Sequence, residues 1–228
     1  MAEACVTTSC KDRISTVVID NPPDNYLDKE VLAELNRTVS EVHGQESDLR
    51  VVLFSSRGRS FSAGIDYAAL AKMTKEEAGH FAEVGYSLLK HIEALPVPVI
   101  AALKGETTGA GLGLALAADI RIASTDAVFS FPEARLGVPP VFGSSQRLAK
   151  TVGVGRAKEL LFTGRTVGAD EALRIGLVNK VVPPDALDEE AGRLAVSIAG
   201  NSLSSLRAVK MLINYGLSEG YEVASRKR

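Results

Sequence analysis

The amino-acid sequence predicts an α/β fold that ends in a helical region. Apolar runs typical of strands alternate with helical patterns as far as Phe131, whereas the patterns from Ser144 onward are mostly helical. The chain has 228 residues, of which 46% are hydrophobic, and this suits one globular domain with a core large enough to be stable alone. The sequence contains no internal repeat, so we expect a single domain over residues 1–228.

The first strands and the first helix follow from residue spacing. The alternating run RISTVVID, Arg13 to Asp20, predicts a strand, and NPPDNY after it predicts a turn. A helix is expected between Asp28, its candidate N-cap, and Gly44. Its apolar stripe is formed by Val31, Leu35, Val39 and Val42. The run LRVVLFSS then predicts a short buried strand.

The later elements are predicted in the same way. A helix begins near Thr74, which forms a capping box with Glu77. The run VPVIAAL, Val97 to Leu103, predicts a buried strand that leads into the glycine-rich helix GAGLGLALAADI, and IRIAS and AVFSF predict two short strands. Five further helices are predicted in SSQRLAKTVG, GRAKELLFTG, GADEALRIG, DALDEEAGRLAVSIAG and LSSLRAVKMLINYG.

Composition and charge exclude several classes of protein. The 26 basic and 28 acidic residues give a formal net charge of -2, which argues against a broad basic surface for nucleic acid. No run is apolar and long enough for a signal peptide or a membrane span, so we expect a cytoplasmic protein with a small-molecule partner. Cys5 and Cys10 lack matching His or Cys spacing elsewhere, so we expect free thiols near a mobile end and no metal site.

Two glycine-containing turns leave backbone N–H groups without an obvious partner. The cluster that begins at Gly109 is not a dinucleotide fingerprint, since positions 114 and 116 are leucine, and no Lys-Ser/Thr pair follows to make a P-loop. A helix beginning there would aim the N–H of Ala110 or Gly111 outward. In SFSAGID, Gly64 permits a sharp turn that leaves the N–H of Ile65 unpaired. Each segment is either an ordinary glycine turn or half of an oxyanion hole for a thioester or ester carbonyl.

The sequence resembles the enoyl-CoA hydratase/isomerase (crotonase) family over most of its length. The segments that carry the resemblance are NPPDNYLDKEVLAEL, GRSFSAGID, PVIAALKGETTGAGLGLALAADIRIAS, FSFPEARLGVPP, SSQRLAKTVG and AKELLFTGRTVGADEALRIGLVNKVVP. The resemblance implies a spiral of ββα units in two roughly perpendicular sheets over about residues 1–195, a short helical region from about 196, and assembly as trimers or dimers of trimers. Family members usually continue beyond the region resembling LSEGYEVASRKR, so we expect a more open pocket or a looser assembly.

The resemblance also implies the substrate and its contacts. It places the carbonyl oxygen of a CoA thioester between the N–H groups of Ile65 and Ala110. The other residues expected to bind substrate are Ala63, Gly64, Asp66, Tyr67, Gly109, Gly111 and Gly113. No cofactor and no metal is implied, because CoA is part of the substrate.

The family's hydratases use two glutamates, and this chain keeps one of them. Glu133 in FPEARLG stands at the second position, whereas the first position is Gly113. Adding water requires groups that hold the water and deliver a proton, but moving a double bond from 3,4 to 2,3 requires only one base. We therefore expect an enoyl-CoA isomerase with Glu133 as sole acid/base and with the space over Gly113 open to acyl chain or solvent. A hydratase, a decarboxylase, a thioester hydrolase and a non-catalytic acyl-CoA binding or assembly subunit remain alternatives.

Other polar residues are weaker candidates. Asp119, at the end of the glycine-rich helix, is expected to be a structural acceptor. Lys104 and Glu106 flank the glycine cluster, but nothing in the sequence determines where their side chains point. Ala68 replaces the lysine that the family often carries for CoA phosphate. The nearby basic residues that could meet the phosphates instead are Arg57, Arg59 and Lys72.

Overall fold

The computed structural model describes residues 5–44 and 48–219 of the chain. Over these residues it contains nine strands and nine α-helices in an α/β fold with a helical C-terminal region, as the sequence predicts. The strands are β1 (Val6–Lys11), β2 (Ile14–Ile19), β3 (Val51–Ser56), β4 (Val99–Leu103), β5 (Glu106–Thr108), β6 (Ile120–Ser124), β7 (Val128–Ser130), β8 (Val167–Gly168) and β9 (Lys180–Val182). The helices are α1 (Lys29–Gly44), α2 (Tyr67–Leu70), α3 (Lys75–Ala94), α4 (Gly109–Ala117), α5 (Ser144–Val152), α6 (Val154–Thr163), α7 (Ala169–Arg174), α8 (Leu187–Ala199) and α9 (Leu203–Glu219).

The strands form two sheets. The larger has the order β1-β2-β3-β4-β6-β9, in which β1 pairs antiparallel with β2 and the other neighbouring pairs are parallel. The smaller has the order β5-β7-β8. An isolated parallel bridge between Ser62 and Thr107 ties the loop after β3 to β5 in the smaller sheet. This loop therefore connects the two sheets at the point where the glycine-rich helix α4 begins.

Both faces of the central strands are buried. In β3, Val52 and Phe54 belong to the larger apolar cluster, whereas Val51 and Leu53 belong to a smaller cluster. Because successive side chains of a strand point to opposite faces, the two clusters lie on opposite sides of the sheet. The residues of α8 that complete the smaller cluster are Leu187, Ala191 and Ala195. Burial on both faces explains why the strand sequences are continuously apolar.

The local signals for the helices are confirmed. The Asp28 side chain accepts a hydrogen bond from Val31 N (2.9 Å) at the start of α1. Thr74 and Glu77 form the predicted capping box before α3. The five helices predicted after position 143 correspond to α5 to α9. Among the described helices, none combines the length and the apolar character that crossing a membrane requires. The single domain and the cytoplasmic location stay predictions.

Five short elements are absent from the sequence prediction: β1, β5, β8, β9 and α2. The edge strand β1 is exposed after Val6, so it lacks the apolar alternation that marks a strand, and its backbone pairing with β2 holds it in place. Cys10 lies in β1 and Cys5 directly precedes it. Both thiols are free, as expected, and their closeness to a mobile end stays a prediction.

An ion pair between a buried lysine and a partly exposed aspartate fastens the last helix to the core. Lys210 of α9 is 9% exposed, and its Nζ donates to Asp119 Oδ2 (2.7 Å) and to the Val97 carbonyl (3.0 Å). The same Asp119 oxygen accepts a hydrogen bond from Val99 N (2.7 Å). Asp119 is thus a structural acceptor, as predicted, and it links the end of α4 to β4 and to α9.

Replacing Lys210 by methionine should lower the free energy of unfolding by about 1 kcal/mol, because the apolar stem is kept while the buried Val97 carbonyl and the partly exposed Asp119 carboxylate lose their donor. Urea denaturation followed by circular dichroism measures the change. Lys158→Met, at an exposed position of α6, is the matched control and should change stability by less than about 0.5 kcal/mol. Equal stability of Lys210→Met and the wild type would contradict this role of the ion pair.

Candidate active site

The segment SFSA after β3 is bound to β5 and to the residue before α4. Ser62 N donates to Glu106 O (3.2 Å), and Thr108 N donates to Ser62 O (3.0 Å). The Thr108 hydroxyl donates to the Ala63 carbonyl (3.1 Å). These bonds place the turn at Gly64 against the start of α4.

Asn25 also holds this segment in place. It is 1% exposed and has φ 54°, a left-handed conformation that asparagine tolerates. Its side-chain amide donates to the backbone carbonyls of Arg57 (2.9 Å) and Ser60 (2.8 Å). The backbone carbonyl of Asn25 accepts a hydrogen bond from the Ser62 hydroxyl (2.7 Å). The sequence pattern marks NPPDNY only as a turn. An asparagine suited to a left-handed position was the signal that could have found this support.

The two predicted turns meet backbone to backbone. Gly64 has φ +84°, and a Cβ on it would stand 2.6 Å from Thr108 O and 3.1 Å from Ala110 N. A Cβ on Gly111 would overlap the Ser62 carbonyl oxygen. Because any side chain at these two positions would push the backbones apart, the close approach depends on glycine.

Ile65 and Ala110 supply N–H groups on either side of this contact. Ile65 directly follows Gly64, and Ala110 is the second residue of α4, where the N–H groups precede the intrahelical ladder. Neither N–H donates a hydrogen bond to another described residue, although the two residues are only 4% and 0% exposed. Buried N–H groups without a partner are rare in proteins. The pair is suited to bind an oxygen that acquires negative charge.

Glu133 is a buried carboxylate beside these donors. It lies in the 3₁₀ turn Pro132–Leu136 and is 1% exposed, and its Oε1 is 3.0 Å from the point where a Gly109 side chain would begin. Neither carboxylate oxygen has a well-formed hydrogen bond to a described residue. Burial raises the pKa of Glu133, and the proximity of its own backbone N–H and of the Tyr67 hydroxyl offsets part of the rise. A carboxylate whose pKa is raised is a stronger base than an ordinary one, and the acid that it forms can return the proton.

The Tyr67 hydroxyl flanks the same position from α2. It is 3.1 Å from the point where a Gly109 side chain would begin, it is buried, and it has no well-formed hydrogen bond to a described residue. Burial, together with the charge and the acceptor oxygens of Glu133, raises the pKa of Tyr67, so the hydroxyl keeps its proton. A buried polar group without a partner costs about 1–3 kcal/mol. Such groups, gathered in one place, indicate a functional site.

An apolar cavity of about 170 Å³ adjoins Ile65 and Tyr67. Its other walls come from α2, α3 and the loop that follows the 3₁₀ turn. The residues that form these walls are Leu70, Ala78, Phe81, Ala82, Val138, Pro139 and Val141. The small volume and the hydrocarbon walls suit a short apolar chain.

The loop over this cavity is fastened to α3. Arg147 donates to the Phe142 carbonyl (2.6 Å) and forms an ion pair with Glu93 of α3 (2.6 Å). The Phe142 ring occupies the place where a side chain on Gly85 would stand, and it packs on Phe81 with ring centroids 5.7 Å apart. These contacts fix the wall of the cavity that the loop supplies.

The space over Gly113 is filled, which corrects the expectation that it opens to acyl chain or solvent. A Cβ on Gly113 would overlap the Ser144 hydroxyl oxygen and would stand 3.6 Å from Leu89 Cδ1. Ser144 is 1% exposed, and its hydroxyl donates to the Val141 carbonyl (2.7 Å). Since Ser144 begins α5, its position beside α4 is set by helix packing that sequence spacing does not reveal.

Asp66 and Ala63 have structural contacts of their own. Asp66 is exposed and caps α2, where its carboxylate accepts hydrogen bonds from Ala68 N (2.9 Å) and Ala69 N (3.2 Å). Its contact with substrate stays a prediction. Ala63 contributes through its backbone, since its N–H donates to the Asp24 carbonyl (2.9 Å).

The candidate phosphate-binding residues lie on the surface. Arg59 pairs with Asp24 (2.6 Å) and Arg57 pairs with Asp20 (3.3 Å), so an incoming phosphate would compete with these aspartates. Lys72 is exposed.

Glu106, the other carboxylate considered for the site, has an exposed side chain in β5, and its charge acts on Arg59. Within residues 5–44 and 48–219, no group of three or more His, Cys, Asp or Glu side chains could hold a metal ion. Of the carboxylates considered from the sequence, Glu133 therefore remains the candidate base.

Comparison with known proteins agrees with the resemblance. The chain matches the family model for enoyl-CoA hydratase/isomerase over residues 9–227. It is 39% identical over 206 residues to the short-chain-enoyl-CoA hydratase of Clostridium acetobutylicum, covering 90% of this chain and 79% of that protein. It is 37% identical over 218 residues to the crotonyl-CoA hydratase of Syntrophomonas wolfei, covering 95% of this chain and 84% of that protein. The crystal structure of an enoyl-CoA hydratase from Bacillus anthracis is similar with a TM-score of 0.93 and 33% identity, over 97% of this chain and 87% of that chain. These likenesses confirm the predicted crotonase fold class.

Replacing Gly64 by alanine should lower turnover of enoyl-CoA thioesters by about 100-fold or more, because the added Cβ would displace Thr108 and Ala110 and so misplace one donor. Steady-state assay measures the loss, and circular dichroism checks that the variant folds. Gly79→Ala, at an exposed position of α3 with open space around it, is the matched control and should keep the wild-type rate. A folded Gly64→Ala variant with wild-type turnover would show that the contact between the turns is not needed.

Proposed function

We propose that this chain, which belongs to the enoyl-CoA hydratase/isomerase family, moves the double bond of a 3-enoyl-CoA to the 2,3 position. The family assignment makes it an acyl-CoA enzyme. One observation carries the finer assignment to isomerisation. Among the described residues, Glu133 is the one buried carboxylate, and its Oε1 lies over Gly109, next to Ala110, while Ser144 fills the space over Gly113.

The two N–H groups would bind the thioester oxygen. When a base removes a proton from the α-carbon, the electron pair moves onto that oxygen and an enolate forms. The N–H groups of Ile65 and Ala110, buried among apolar side chains, would stabilise this charge without reorganisation of solvent. They thereby lower the barrier to proton removal.

Glu133 would act twice in this reaction. Its carboxylate takes the α-proton of the 3-enoyl-CoA, and the electrons spread over a dienolate. The resulting carboxylic acid then returns the same proton to the γ-carbon, which leaves the double bond between the α- and β-carbons. A raised pKa supports both steps, because Glu133 must be a useful base first and a useful acid afterwards.

Hydration of a 2-enoyl-CoA is the second candidate, and the names of two relatives favour it. The proteins from Clostridium acetobutylicum and Syntrophomonas wolfei are both named as hydratases. Hydration here would have to proceed with one carboxylate, because Gly113 has no side chain and Ser144 fills the adjoining space. The filled space is the reason for preferring isomerisation.

The apolar cavity supports a short acyl chain as the substrate. No cofactor is needed for the proposed reaction, because a proton moves between two carbons and no oxidation state changes. Assembly into trimers or dimers of trimers stays a prediction from the family resemblance, and light scattering tests it.

Glu133→Gln should slow isomerisation of a 3-enoyl-CoA by about 100- to 10,000-fold, since the amide keeps the shape but cannot accept the proton. Binding of a saturated acyl-CoA, measured by calorimetry, should change little. Glu106→Gln removes an exposed carboxylate of β5 and is the matched control, with an expected wild-type rate. The assignment is wrong if Glu133→Gln keeps its rate, or if the wild type hydrates a 2-enoyl-CoA faster than it isomerises the 3-enoyl ester.

A second carboxylate should favour hydration only when space is made for it. Gly113→Glu alone would collide with the Ser144 hydroxyl, so we expect no gain in hydration. Gly113→Glu combined with Ser144→Gly should hydrate a 2-enoyl-CoA at least about tenfold faster than Ser144→Gly alone, because two carboxylates can share the water and the proton. Loss of the absorbance of the conjugated thioester measures the rate. If the double variant is no faster than Ser144→Gly, Ser144 does not determine the choice of reaction.

A further inference from the structure

Two buried oxygens converge over Gly109 at the start of α4. Glu133 Oε1 lies 3.0 Å, and the Tyr67 hydroxyl 3.1 Å, from the point where a Gly109 side chain would begin. The two groups reach this point from different elements, the 3₁₀ turn and α2. Neither has a well-formed hydrogen bond to a described residue. The mechanism above uses Glu133 and leaves the Tyr67 hydroxyl without a role.

We propose that Tyr67 is a positioning residue for Glu133, whose carboxylate accepts a hydrogen bond from the Tyr67 hydroxyl when an acyl-CoA occupies the site. The bond would hold the reacting oxygen over Gly109, next to Ala110 and the thioester carbonyl. Hydrogen bonds of catalytic groups commonly reach good geometry only when substrate is bound. This inference rests on the proposed function, in which Glu133 is the base.

While Glu133 is ionised, the chemistry of the two groups permits only one direction for this bond. Tyr67 keeps its proton, because burial and the neighbouring carboxylate raise its pKa, so it is a donor. The ionised Glu133 has only acceptor oxygens. Among the described residues, Tyr67 is the titratable side chain that acts on the pKa of Glu133, and it acts by lowering that pKa. No charged side chain on the elements around Glu133 is among the causes of its shift.

Removal of the Tyr67 hydroxyl should therefore shift the pKa of Glu133 in one direction, upward. The hydrogen bond favours the ionised carboxylate, so its loss raises the pKa of Glu133 further above the ordinary value. Glu133 can act as a base only when it is ionised. Without the Tyr67 hydroxyl, the rise of activity with pH should therefore occur at a higher pH than in the wild type. A tyrosine that merely shapes the apolar cavity would alter acyl-CoA binding without moving this pH dependence.

The test compares kcat/KM for a 3-enoyl-CoA against pH in the wild type, Tyr67→Phe and Tyr86→Phe. In Tyr67→Phe the acidic limb should move to higher pH by about one unit, which is about a tenfold loss of rate well below the limb. Tyr86 is 52% exposed on α3, so Tyr86→Phe removes a surface hydroxyl and should superimpose on the wild type. Any titration of the substrate affects all three pH profiles equally, because every protein receives the same thioester.

A second measurement does not depend on turnover. Infrared titration follows the band of the protonated carboxyl group that disappears in Glu133→Gln, with butyryl-CoA bound as an unreactive thioester. The midpoint of this band should also rise by about one pH unit in Tyr67→Phe. An unmoved midpoint, or a rate loss that is uniform across pH, would overturn the role of Tyr67. Failure of the proposed function would look different, because the wild type would then lack isomerisation that depends on Glu133.

Discussion

The contact between Gly64 and the residues that open α4 is the constraint on which the rest of the site depends. Thr108 O and Ala110 N lie where a side chain on Gly64 would have to stand. Their closeness brings together two N–H groups from loops that are far apart in the chain. The hydrogen bonds of Ser62 and Asn25 keep the first loop in this place, because they satisfy its backbone on both sides. A glycine at one position and a set of buried backbone bonds around it thus create the polar centre of an otherwise apolar region.

The polar groups that the proposed chemistry needs lower the stability of the fold. Glu133 and Tyr67 are buried polar groups without well-formed bonds to described residues, and each such group costs about 1–3 kcal/mol. The surrounding fold must supply that energy. It does so through the two apolar clusters on either face of the larger sheet and through anchors such as Lys210, which joins the last helix to Asp119. The unsatisfied groups persist because the elements that carry them are fixed by other contacts.

The side chains around the paired backbone N–H groups determine which reaction the site can catalyse. The paired N–H groups serve any reaction that places negative charge on a thioester oxygen. The choice between moving a proton and adding water then depends on which groups border the acyl carbons. Here the Ser144 side chain fills the space over Gly113. The Tyr67 hydroxyl lies with the Glu133 carboxylate over Gly109. Both hydroxyls come from elements other than the two that supply the N–H groups.

The sequence by itself determined the α/β class, the long helices and the two glycine turns, because these follow from local periodicity, capping residues and backbone freedom. Asp28 and the Thr74–Glu77 capping box act within a few residues, so their patterns are visible in the chain. The short strands β8 and β9 are fixed by pairing with β7 and β6, which lie far away in the chain, and this leaves no local pattern to find. The strand β1 pairs with its neighbour β2, but its exposure after Val6 removes the apolar alternation that marks a strand. In the same way, only the tertiary structure decided that Ser144 occludes Gly113 and that the oxygens of Tyr67 and Glu133 converge over Gly109. Each of these contacts joins segments whose proximity depends on packing, and packing is a property of the whole chain.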